Sequence, residues 1–349
     1  MAGVQVPRIV QVEVTSACQL RCTFCARTAL ADRWINAHLS REAFSGILPY
    51  ARQIELVHLQ GWGEPLLHPR LWDMAAALKQ AGCRVSLTTN GVLLDEEAVR
   101  EACRLGLDLV AVSVAGARPT TNDALRVGSS LERIAANVSR LCEQKPRPRV
   151  VLIMQLMPPN LPELPELVSL AAEVGADEVV APHLDYIPTP ELDGLRAFGW
   201  QPDPRVSDLV SEAMRRGEEL GVKVHVYESR LRDDVLVCAA DPVHNLWITV
   251  DGQAAPCAYL ALPCRDGFPR FFEGTHEHLR RLTFGDVSGG VPRVWQSRPA
   301  RSFRSAFSRR QQWGQLGYLL DATLSPSATP PAPPPPPAPC RHCYKLYGA

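Results

Sequence analysis

Between residue 9 and about residue 226, short β-branched runs alternate with amphipathic stretches. The runs are 9–15 (IVQVEVT), 53–60 (QIELVHLQ), 84–89 (RVSLTT), 107–115 (LDLVAVSVA), 149–156 (RVVLIMQL), 177–181 (DEVVA) and 222–226 (VKVHV). Each predicts a strand. Residues 95–105 and 130–143 carry apolar side chains three and four positions apart and predict helices, with Asp95 and Ser130 as N-caps. Strand, helix, strand at this spacing means βα units and a parallel sheet. The expected class is α/β, a partial (β/α)6 TIM-like barrel. A doubly wound sheet is the competing arrangement.

The rhythm changes after residue 226. Residues 245–257 (NLWITVDGQAAPC) predict a hairpin turning at Asp251-Gly252. Residues 293–310 hold six arginines and no acid, which reads as a solvated helical face. Residues 324–339 (LSPSATPPAPPPPPAP) predict a polyproline II linker. The expected organisation is a core barrel over 1–230, a small cysteine-rich unit from 231 to 323, the linker at 324–339, and a tail at 340–349 that brings a C-x2-C pair back to it.

Composition narrows the class. Of 349 residues, 46 % are hydrophobic and 21 % charged, which excludes a chain disordered throughout. Lys plus Arg and Asp plus Glu both total 37, which excludes attachment to nucleic acid by bulk charge. The first fifteen residues have no apolar signal core, and no window suits a membrane span. The expectation is a cytoplasmic protein with no membrane partner. Cytosolic thiols stay reduced, so eleven cysteines point to metal ligation before disulfides.

Cys18, Cys22 and Cys25 stand as C-x3-C-x2-C directly after the first predicted strand. Three thiolates on one loop can hold a [4Fe-4S] cubane by three corners, leaving one iron open. A zinc loop is the alternative. With this motif, with Phe24, with Gly61-Trp62-Gly63-Glu64-Pro65 and with Thr89-Asn90-Gly91, the chain resembles the radical S-adenosylmethionine (SAM) superfamily over roughly its first two-thirds. The GGEP segment of that family is here split by Trp62. The resemblance implies that Gly61, Gly63, Glu64, Pro65, Asn90 and Ser113 form the SAM site. It also implies that SAM bound at the open iron is cleaved by one electron to a 5′-deoxyadenosyl radical, which abstracts hydrogen from a substrate. A one-electron donor such as flavodoxin or ferredoxin is the implied partner.

Cys238, Cys257, Cys340 and Cys343 form a second set, with G-x4-C at Gly252 to Cys257. It resembles the SPASM/Twitch extension of radical SAM enzymes, in the shorter Twitch form with one auxiliary [4Fe-4S] cluster. Zinc on the same four thiols is the alternative, and Cys264 is a rival for one position. An auxiliary cluster would accept an electron from a substrate radical or return one to it. Weak candidates for a catalytic role are Glu13, Gln155, His183, Tyr186 and Cys264. Gln11 and Asp185 are further candidates for the pocket wall. His58, Cys83, Cys103 and Cys142 read as structural.

Peptide-modifying members of the family the chain resembles often carry a recognition domain before the core, and Cys18 falls early for one, so the expected substrate is a small molecule: a sugar, aminocyclitol or sugar nucleoside, dehydrogenated or decarboxylated. A ribosomal-peptide maturase or epimerase is the alternative. The non-enzyme alternative is a zinc-ribbon protein binding nucleic acid through the arginine run.

Overall fold

The structure is a computed structural model that describes residues 5–321 and 332–349, with side chains to residue 315 and from 332 onward. All seven predicted strands form: β1 (Ile9–Val12), β2 (Leu56–Leu59), β3 (Arg84–Thr89), β4 (Leu109–Val114), β5 (Arg149–Met154), β6 (Glu178–Ala181) and β7 (Lys223–Val226). They lie side by side in chain order and all pair in parallel. The predicted hairpin forms as β8 (Asn245–Ile248) and β9 (Gln253–Ala255). Gly252 takes the turn at φ +77°, where a side chain would be strained. β8 also pairs in parallel with β1, level for level from Ile9 to Val12, so the C-terminal part continues the first sheet. β10 (Phe268–Phe272) and β11 (Thr275–Leu279) make a separate hairpin, and β12 (Gly285–Asp286) closes the far edge beside β9.

Alternation along each strand explains the layers. Val10, Val12, Val57, Leu59, Val85, Leu87, Val110, Val112, Val150, Leu152 and Val179 are all sealed from solvent on one face. They pack against the apolar sides of the connecting helices, through Met74, Leu78, Val99, Ile134, Leu141 and Val168 among others. Each such side chain stabilises the fold by about 1.5–3 kcal/mol. The helices begin where capping chemistry directs. Asp95 accepts from the Ala98 amide at 3.0 Å and Ser130 from the Arg133 amide at 3.3 Å. The opposite face of the sheet is polar at mid-height, where Gln11, His58 and Ser86 stand level on β1, β2 and β3.

The arginine run differs from expectation. Residues 298–310 of it form the first half of a helix, Arg298–Asp321, in which one arginine is buried and another half-buried. Arg304 lies over the Trp295 ring at 3.7 Å. Arg310 is 4 % exposed and donates to the carbonyls of Val235, Leu236 and Pro334. These carbonyls take up the guanidinium, and the helix thereby clamps the segments around residues 235–236 and 334. Of the expected linker, residues 324–331 lie outside the described residues, and 332–337 run without helix or strand. The tail packs firmly, with Cys340, Tyr344, Leu346 and Ala349 all buried. No helix among the described residues is long and apolar enough to cross a membrane.

Candidate functional site

The loops after the parallel strands meet at one end of the sheet, where β/α barrels build their sites. The loop after β1 carries Cys18, Cys22 and Cys25. It is fixed by Ser16, whose hydroxyl donates to the Ile35 carbonyl at 2.7 Å, and by the Trp34 indole, which donates to the Ser16 carbonyl at 3.0 Å. A two-residue ladder joins Arg21–Cys22 to Arg126–Val127. Cys25 opens the short helix Ala26–Ala29. Burial, then the neighbouring charges of Cys22 and Cys18, push the Cys25 thiol up to about 11. Burial likewise raises the Cys18 thiol, and three thiols on one loop fit a cationic group that would take them as thiolates. Among the described residues no three His, Cys, Asp or Glu side chains close on a single metal ion. A cubane takes one ligand per iron, at wider spacing, and this donor set suits it.

The segment after β2 reaches the same place. Glu64 is 1 % exposed and acts as a brace. Its Oε2 accepts from the Asn90 amide at 2.6 Å. Its Oε1 accepts from the Thr89 hydroxyl at 2.7 Å and the Leu66 amide at 3.1 Å. Burial raises the Glu64 pKa and these donors oppose the rise. Glu64 therefore holds the turns after β2 and β3 together, and its carboxylate is spoken for. Gly63 is needed for close approach: a Cβ there would stand 2.4 Å from the Ala17 carbonyl oxygen. At Gly61 a Cβ would stand 2.4 Å from Cγ of Glu13. Pro65 is buried behind Glu64 and starts a single helical turn. The Asn90 amide group reaches the cysteine loop, donating to Gln19 Oε1 at 3.2 Å and lying 3.8 Å from the Cys18 sulfur. Ser113 is half-buried on β4, level with Ile153.

The weak catalytic candidates fare differently from one another. Glu13 is fully buried, and its two oxygens accept from the Trp62 amide at 3.0 Å and the Val250 amide at 3.1 Å. It joins the turn after β2 to the turn after β8, a bracing position. Desolvation lifts its pKa to about 7 against those donors. Tyr186 is 4 % exposed and donates to the Pro269 carbonyl at 2.9 Å, so its hydroxyl is committed to β10. Gln155 is half-buried just past β5. His183 is buried, with Nε2 donating to the Tyr227 carbonyl at 3.2 Å and Nδ1 without a partner among the described residues. Burial holds its pKa below the ordinary value. His58 forms a polar node on the inner face: Ser86 donates to Nδ1 at 2.5 Å and Nε2 donates to Gln60 at 2.6 Å.

The tail carries Cys340 and Cys343 to Cys238 and Cys257. Desolvation pushes Cys238 up to about 11 and Cys257 up to about 12, and the thiols act on one another across the group. Cys340 is raised the same way, next by the charges of Cys257, Cys343 and Cys238. Cys264 stands apart. It bridges to Trp34, and its charged neighbours are Arg33, Arg281, Asp32 and Glu13.

Asp185, a candidate for the pocket wall, anchors a group whose other polar members, Tyr259 and Lys345, the sequence analysis did not single out. The Lys345 ammonium pairs with Asp185 Oδ2 at 2.6 Å, and the Tyr259 hydroxyl donates to Oδ1 of the same carboxylate. Trp62 packs against Tyr259, Tyr186 and Trp34 at centroid distances of 5.9, 5.6 and 6.1 Å. The only signal in the chain was positional: Tyr259 and Lys345 each follow a thiol of the second set by two residues.

Comparison with known proteins agrees with this geometry. Residues 12–171 match the family model described as Radical SAM superfamily. The chain is 26 % identical over 304 residues to a tungsten-containing aldehyde ferredoxin oxidoreductase cofactor-modifying protein of Pyrococcus furiosus, covering 84 % of this chain and 82 % of that one. It is 30 % identical over 200 residues to a PqqA peptide cyclase of Streptomyces rochei, covering 57 % of this chain and 51 % of that one. In fold it is similar to the crystal structure of Streptococcus suis SuiB bound to S-adenosylmethionine, with TM-score 0.64, 16 % identity, and coverage of 86 % of this chain and 68 % of that one.

Proposed function

We propose, from the premise that the chain belongs to the radical SAM superfamily through residues 12–171, that it modifies a peptide by abstracting hydrogen from one of its C–H bonds. The expected sugar or aminocyclitol substrate gives way to this reading, because the similarity to a PqqA peptide cyclase supports a peptide. The enzyme uses SAM and a [4Fe-4S] cluster. When bound, these supply the 5′-deoxyadenosyl radical that takes the hydrogen atom.

The chain's own residues have distinct parts in this reading. Cys18, Cys22 and Cys25 hold the first cluster. Gly61, Gly63 and Pro65 shape the turn that receives SAM, with Asn90 and Ser113 beside it. Glu64 and Glu13 fix these turns without touching the reacting atoms. Cys238, Cys257, Cys340 and Cys343 hold an auxiliary cluster, and the docked tail excludes water from that side of the mouth. A flavodoxin or ferredoxin donates the electron. The observation that carries the reading is the convergence of the three-thiol loop and the Glu64-braced turns at one sheet end.

The test uses anaerobically reconstituted protein, with a precursor peptide chosen from the gene neighbourhood and a panel of sugars and aminocyclitols. About eight irons per chain are expected. The peptide should stimulate 5′-deoxyadenosine formation and change in mass. Stimulation by the small molecules and none by the peptide overturns the peptide reading. Zinc without iron overturns the enzyme.

A further inference from the structure

Arg270 lies on β10, beside the hairpin partner strand that carries Glu277. It is 3 % exposed. Its Nη2 donates to Glu277 Oε2 at 2.9 Å and to the Pro339 carbonyl at 2.6 Å. Its Nε and Nη1 are buried and have no partner among the described residues. A guanidinium is always charged and cannot shed these protons. Unmade donors in the interior are costly, so this pair of N–H groups points to an acceptor that belongs there.

The place of that acceptor follows from the neighbours. Pro339, held by Nη2, immediately precedes Cys340. Pro269, on the other side, is held by Tyr186. Arg270 is the leading opposing charge on Cys343 and also acts on Cys340. Glu277 sits beneath the same C-R-H-C segment, bonded to both Arg270 and His342.

We propose that Arg270 is a positioning residue for the auxiliary cluster, donating from Nε and Nη1 to its sulfur atoms and raising its reduction potential. This rests on the reading that Cys238, Cys257, Cys340 and Cys343 hold iron and sulfide. Reduction adds negative charge, and a buried cation with N–H donors to sulfur favours the more negative form. Glu277 opposes it.

The experiment uses the full-length chain with C18A, C22A and C25A, so that one cluster reports. Iron is counted, and the midpoint is read by dithionite titration with electron paramagnetic resonance. About four irons per chain are expected in this background. R270Q should make reduction about tenfold less favourable, ~59 mV more negative for one electron. R270K keeps the charge without the planar fork and should shift less. E277Q should shift the midpoint the opposite way. If R270Q sheds its iron, the signs in R270K and E277Q decide. Retained iron with midpoints unchanged in these variants overturns the inference alone. A background protein without iron overturns the auxiliary-cluster reading, and the inference with it.

Discussion

The Asn90 backbone amide donates to the Glu64 carboxylate at 2.6 Å, across the gap between the turns that follow two neighbouring strands. The same Asn90 extends its side chain to within 3.8 Å of the Cys18 sulfur. One buried carboxylate thus fixes the turn after β2 relative to the turn after β3, and through Asn90 relative to the three-thiol loop.

Glu64→Gln tests that brace. An amide offers one acceptor oxygen where the carboxylate offers two, so its NH2 would face the Asn90 N–H, donor against donor. Hydrogen bonds to a charged group are worth about 1.5–3 kcal/mol. SAM affinity should fall by roughly tenfold or more, at about 1.4 kcal/mol per factor of ten. Iron at the first cluster should stay. Isothermal titration with SAM on the reconstituted protein checks this, and unaltered affinity would remove the brace from the account.

Gly63→Ala tests close approach. Its Cβ would meet the Ala17 and Thr15 carbonyl oxygens at 2.4 and 2.5 Å, which are backbone atoms that cannot swing aside. Overpacking of this kind costs about 1–3 kcal/mol. The melting temperature should drop, and the cysteine loop should move enough to lower iron occupancy. A variant with normal melting and normal iron would mean that the backbone there yields freely.

Much of this was legible in the chain. β-branched runs marked the seven strands because a strand buried on one face needs that pattern, and Asp95 and Ser130 marked helix starts because unpaired amides need an acceptor. The pairing of β8 with β1 was not legible, since it joins residues far apart through backbone groups that every sequence shares. Glu13 illustrates the same limit. Alternation put it inside, but its donors, Trp62 and Val250, come from distant turns. Arg310 was misread because a run of like charges normally faces water, and only folding brought three carbonyls to it. The hairpin at Phe268–Leu279 did leave a trace, a Glu-Gly turn between alternating residues that sequence reasoning passed over.

Asp185→Asn tests how the tail is held. In the Asp185–Lys345 pair the side chains are 4 % and 19 % exposed, and removing one partner strands the other charge. Such a loss costs about 3–5 kcal/mol. The tail from 340 onward should detach before the sheet melts. Limited proteolysis should then cut it early, with loss of auxiliary iron and retention of the first cluster. Asp185→Asn and Lys345→Met together should restore part of the resistance, because neither charge is left alone. A single variant as resistant as the parent would show that packing of Tyr344 and Leu346 suffices.

Glu13 and His58 should give the stability a pH dependence whose parts oppose each other. Glu13 is raised from 4.5 to about 7, so the folded protein binds a proton that the unfolded chain releases. Its contribution is complete below pH ~4.5 and is lost as pH rises toward 7, at up to about 1.4 kcal/mol per pH unit. His58 is lowered from 6.5 to about 4, chiefly by desolvation. Its contribution is complete above pH ~6.5 and is lost as pH falls toward 4, at a similar rate. Between about 4.5 and 6.5 the two slopes cancel, and above 6.5 the Glu13 decline stands alone. Glu13→Gln removes one side of this balance. Urea denaturation across that range should then show stability rising with pH in the variant relative to the parent, whatever the absolute cost of the unpaired amide. Parallel curves for variant and parent would mean that Glu13 does not hold its proton in the folded state.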